Sequence, residues 1–87
     1  MKLKYELKKG DIVASMAGHD EGRVYVVVET LLDGYVSLID GEYRSLKNPK
    51  RKKDRHLKYL SNTDLPDKIK ITDIKLAIKN YKREVQT

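Results

Sequence analysis

The chain has 87 residues, 37% of them charged and 39% hydrophobic, with a formal net charge of +6, no cysteine, no tryptophan and no phenylalanine. That length allows one small domain, which buries only roughly 60–65% of the surface its unfolded chain exposes. The missing cysteines exclude disulfides and cysteine-ligated metals and point to a reducing, cytoplasmic setting. No apolar stretch approaches the ~20 residues of a membrane span, so no membrane partner is expected.

The first seven residues, Met1 to Leu7, alternate charged and apolar side chains and lack the apolar core of a signal peptide. Residues 11 to 47 read as a β-meander. Asp11 to Ser15 is a short strand, and Gly18-His19-Asp20-Glu21-Gly22 is a tight polar turn bounded by glycines. Arg23 to Thr30 carries four valines, whose β-branched side chains suit a pleated surface. By alternation Val24, Val26 and Val28 share one face, expected to be core with Val13, Val36 and Leu38 as neighbours. Asp33-Gly34 and Asp40-Gly41 read as hairpin turns, separated by a strand at Tyr35 to Ile39. Glu42 to Leu46 is expected as a fourth strand. Pro49 then interrupts regular structure, a basic loop spans 47–55, and His56 to Leu60 alternates as a fifth strand. Four to five short strands with tight turns predict a mainly β fold, a small SH3-like or OB-like barrel over residues 1–62.

Residues 63–87 change period. Pro66 ends the strand region and the rest reads as a connector and one amphipathic helix packed on the barrel. Thr72 is the expected N-cap, Ile71 and Leu76 are spaced as a hydrophobic staple, and Ile74, Ala77, Ile78, Tyr81 and Val85 follow helical spacing.

The charge is concentrated. From Arg44 to Lys58 there are eight basic residues against one acid, a net +7; the rest of the chain has eleven basic and twelve acidic residues, a net −1. A concentrated excess implies a polyanionic partner, whose phosphates would release counterions on binding. The candidate contacts are Arg44, Lys47, Lys50, Arg51, Lys52, Lys53, Arg55, His56 and Lys58. A solvated charge run is the competing account, as is a nuclear-localisation signal for Lys50 to Lys53. Tyr43 and Tyr59 flank the run and are candidates for stacking on unpaired bases. Tyr5, Tyr25 and Tyr81 are expected to pack with their hydroxyls in water. Lys75, Lys79, Lys82 and Arg83 form a further cationic stripe on the helix. Lys82 and Arg83 are accounted for by the helix macrodipole.

Residues 9 to 60 resemble a KOW domain. Lys9-Gly10-Asp11-Ile12-Val13 is similar to the opening of the family's strand-loop-strand unit, Gly18 and Gly22 to its turn, and Val24 to Val28 to its second strand. Gly22 falls where the family's hallmark glycine belongs; Glu21 stands where a lysine often precedes it. Val13-Ala14-Ser15, Asp40-Gly41 and the Lys/Arg run after a proline look like bacterial members akin to large-subunit ribosomal proteins. The resemblance implies an SH3-like barrel that binds RNA, with ribosomal RNA or the ribosome as partner. It adds Ser15, Gly18, His19, Gly22 and Arg23 in the turn as possible RNA contacts. KOW domains of transcription-elongation type dock on RNA polymerase or another protein, which is the alternative. A constitutive ribosomal subunit is a third.

No catalytic constellation is legible. The two histidines have no metal-ligand spacing, the turn aspartates have conformational reasons to be where they are, and no glycine-rich loop leads into a helix. The expectation is a monomeric, non-catalytic protein with no cofactor, metal or small-molecule substrate.

Overall fold

A computed structural model describes residues 6–85; most of the N-terminal alternation and Tyr5 lie outside the described residues. The elements are β1 (Asp11–Ser15), β2 (Val24–Thr30), β3 (Tyr35–Ile39), β4 (Lys50–Lys53), β5 (Leu57–Asn62) and α1 (Ile71–Val85). Single 3-10 turns join β2 to β3 (Leu32–Gly34) and β4 to β5 (Asp54–His56). The strands form one antiparallel sheet in the order β4-β3-β2-β1-β5. The architecture is α+β: the sheet is not closed into a barrel, because β4 and β5 are its two edges. No helix among the described residues is long and apolar enough to cross a membrane.

Both faces of this sheet are buried, which corrects the expected core. One face carries Ile12, Val26 and Ile39, with Val24 and Val28 partly buried, and is covered by Ile74, Ala77 and Ile78 of α1. The other carries Val13, Tyr25, Val27, Val36 and Leu38, each at most 3% exposed, with Leu7 and Leu57 beside them. Val13, Val36 and Leu38 therefore sit on the opposite face from Val24, Val26 and Val28. Among the described residues no helix packs on that face, and the curl of the sheet shields it from water. Register shifts between Ile12 and Val13 and between Val27 and Glu29 supply the bend, as bulges increase local twist.

The Asp33-Gly34 turn forms as expected, with φ of 59° and 79° at its two residues and the Tyr35 N–H donating to the Leu32 carbonyl. Asp40-Gly41 does not form a hairpin. The Asp40 carboxylate accepts the Glu42 and Arg44 N–H groups at 2.9 and 2.8 Å, which curls residues 40–44 into a turn. Those donors are lost to a strand ladder, so Glu42 to Leu46 is not a strand. The fourth strand is the basic run itself.

The helix begins at Ile71 rather than after Thr72. Asp73 accepts the Lys70 N–H at 2.8 Å, the reach-back half of a capping box. Ile69 and Ile74 share the apolar cluster in the staple positions, whereas Leu76 is exposed.

Candidate functional site

The basic run is a strand, so its side chains divide between two faces. Val36 pairs with Lys52 and Leu38 with Lys50, which places both lysines on the face of the Tyr25 cluster. Ser37 pairs with Arg51 and Tyr35 with Lys53, on the other face.

The two inward lysines meet Asp20. Lys52 Nζ donates to Asp20 Oδ1 at 2.9 Å and to the Ala17 carbonyl at 2.8 Å. Lys50 Nζ lies 3.9 Å from Asp20 Oδ2. The Ser15 hydroxyl donates to Asp20 Oδ1 at 2.8 Å, with the Ala17 carbonyl at 3.0 Å, and the Tyr25 hydroxyl donates to Asp20 Oδ2 at 2.8 Å. The Lys52 and Asp20 side chains keep only 12% and 11% of their surface exposed. Burial alone would raise the Asp20 pKa; the hydrogen bonds from Lys52, Tyr25 and Ser15 outweigh it and hold the carboxyl well below the usual carboxylate range. Tyr25 is pushed up, first by burial and then by its bond to that carboxylate.

This cluster corrects three expectations. Lys52 is a largely buried internal partner of Asp20. Ser15 is fully buried and faces Asp20 rather than solvent. Tyr25 is 2% exposed and its hydroxyl is bonded to protein, not wet.

With Asp20 holding these lysines, Arg51, Lys53 and Arg55 remain toward the surface at the β4–β5 corner. Arg51, Lys52, Lys53, Arg55 and His56 line a groove of about 380 Å³ together with Tyr35, Ala17 and Gly18. No carboxylate is in that lining. Its walls are fixed: the Met16 N–H donates to the His56 carbonyl at 2.8 Å, and Lys52 binds the Ala17 carbonyl opposite. Lys53 Nζ sits 5.4 Å from the centroid of the Tyr35 ring, a cation–π contact across the strand pair. Tyr35 is 38% exposed, and nothing local in the sequence marked it. The signal was the cross-strand pairing of its position with Lys53.

Arg44, Lys47 and Lys58 do not line this groove, and neither does Tyr59, which is opposite Val13 on β5. Gly18 and Gly22 have φ of 88° and 90° and set the turn as expected. His19, Gly22, Arg23 and Tyr43 line a separate concavity of about 350 Å³ toward α1. There the Arg23 guanidinium lies 4.2 Å from the Tyr43 ring centroid and 3.5 Å from Asp40 Oδ2. Burial works to raise the Asp40 pKa, but bonds from the Arg44 and Glu42 N–H groups and from Arg23 lower it. This concavity also holds Asp20, Glu21, Asp40 and Glu42, so its charge is mixed. The helix stripe of Lys75, Lys79, Lys82 and Arg83 borders Asp40 and Glu42 in the same way.

Among the described residues no group of three or more His, Cys, Asp or Glu side chains could hold a metal ion. No protein-family model matches the chain, and no curated protein matches it.

Proposed function

We propose that the chain binds RNA, with the groove at the β4–β5 corner as the phosphate-contacting surface. The observation that carries this is a concave surface lined by Arg51, Lys52, Lys53 and Arg55 with no acidic side chain among them. Cations on a strand and a one-turn link are held at set spacings, as phosphate contacts that position a backbone require. A solvated charge run would have no such order. The curled five-stranded sheet of short strands is compatible with the SH3-like architecture that the KOW resemblance implies. That resemblance makes RNA, and ribosomal RNA first, the polyanion to test.

Arg51, Lys53 and Arg55 carry the binding in this reading, and Lys52 shapes the groove from behind. Lys50 adds a looser charge, since its ammonium is 3.9 Å from Asp20 and its side chain is 30% exposed. The test is RNA affinity against salt for the wild type and for Arg51→Ala/Lys53→Ala/Arg55→Ala. Losing three contacts should flatten the slope of log K against log salt by about 2 on single strands, at about 0.7 each. A folded variant with unchanged affinity and slope would remove this groove as the RNA site.

A further inference from the structure

We infer that this groove takes an unpaired nucleotide, with its base stacked on Tyr35, and so discriminates single-stranded RNA from duplex. The inference rests on the RNA-binding reading of the same groove and adds what kind of RNA it holds.

Three observations carry it. First, the groove is small. About 380 Å³ is at the low end of the roughly 300–1,000 Å³ that holds a small molecule, which suits one flat base. Second, its lining is rich in planar groups: the Tyr35 phenol, the His56 imidazole and the Arg51 and Arg55 guanidiniums. Splayed-out bases in single strands and loops stack on such aromatic and guanidinium planes, whereas duplex RNA is met through its backbone and shape. Third, Tyr35 is partly exposed at the first position of β3, and its strand partner Lys53 places a cation over the ring. A ring held there costs little conformational entropy when a base arrives. The cations around it suit the phosphates on either side of that base.

The two tyrosines expected to stack do not share this setting. Both rings carry a cation, but Arg23 stands 4.2 Å from the Tyr43 centroid, closer than the 5.4 Å of Lys53 from Tyr35, and the Tyr43 concavity also contains carboxylates; Tyr59 does not line the groove.

The experiment compares Tyr35→Leu and Tyr35→Phe with the wild type on a single-stranded oligoribonucleotide and on a duplex of the same sequence, at fixed salt. Folding of each variant is checked by far-ultraviolet circular dichroism. Tyr35→Leu should weaken single-strand binding about 5- to 150-fold, the range for loss of one stacked base. It should leave duplex binding and the salt slope unchanged, and Tyr35→Phe should restore the single-strand affinity. Equal effects of Tyr35→Leu on single strand and duplex, or no effect on either, would overturn the stacking inference while leaving the phosphate-binding reading standing. A wild type that binds neither RNA would overturn both.

Discussion

Replacing Asp20 by alanine should be among the most costly single changes in this protein, although Asp20 lies in a surface turn. Its carboxylate accepts side-chain hydrogen bonds from Lys52, Ser15 and Tyr25, at 2.9, 2.8 and 2.8 Å. Removing it leaves an ammonium and two hydroxyls in a site from which most water is excluded. Breaking a buried ion pair from one side costs roughly 3–5 kcal/mol. We expect about 3 kcal/mol for Asp20→Ala, because each partner keeps about a tenth of its side chain in water. The whole domain holds only about 4–13 kcal/mol at 0.05–0.15 kcal/mol per residue. Lys52→Met should cost about 2 kcal/mol, as the carboxylate keeps its hydroxyl donors and the nearby Lys50. The double variant should cost much less than the two together, because neither charge is then left alone.

The assay is urea unfolding followed by circular dichroism, arranged as a double-mutant cycle. A coupling of about 2 kcal/mol is expected. Additivity within about 0.5 kcal/mol, or an Asp20→Ala cost under about 1 kcal/mol, would refute the account. The pH dependence supplies an independent check. The folded pKa of Asp20 is depressed, so its contribution is fully present above the unfolded value of about 3.9 and is lost as pH falls through the lower folded value. Wild-type stability should therefore fall below about pH 4, and Asp20→Asn should fall less steeply there.

Two further predictions concern the fold away from the groove. Ile74→Ala removes a fully buried side chain that joins α1 to the sheet and should cost about 2–5 kcal/mol in the same unfolding assay, without changing the salt slope for RNA in a folded sample. Asp40→Ala strips the acceptor from the Glu42 and Arg44 N–H groups and should cost about 2 kcal/mol, whereas Asp40→Asn keeps an acceptor oxygen and should cost less.

What was legible in the sequence was local. The valine run of β2, the Asp33-Gly34 turn and the apolar face of α1 each follow from spacing over a few residues, and each forms. What was not legible depended on partners far along the chain. A run of four basic residues after a proline reads as a loop because like charges repel and lysine is a poor strand former. It becomes a strand because β3 pairs with it and Asp20, 32 residues away from Lys52, neutralises its inner side. The same cluster hides Ser15, which the KOW resemblance offered as an RNA contact, and binds the Tyr25 hydroxyl, which was expected in water. Glu42 to Leu46 was expected as a short strand, yet one carboxylate at Asp40 takes the backbone donors that a ladder would need.

The division of β4 into an inward and an outward face bears on why the chain carries so many cations there. β4 is an edge of the sheet, and charged side chains on an edge discourage pairing with another chain. That role alone would be met by one or two lysines anywhere on the strand. It does not require Arg55 in the following turn, an acid-free groove, or a tyrosine ring set beneath Lys53. Edge protection and polyanion binding also respond differently to substitution. If the charges served only the edge, Arg51→Ala/Lys53→Ala/Arg55→Ala would promote self-association and leave RNA affinity unchanged. If they meet phosphates, RNA affinity falls and loses part of its salt dependence. Sedimentation of the triple variant beside its RNA titration separates the two, because each reports on one role.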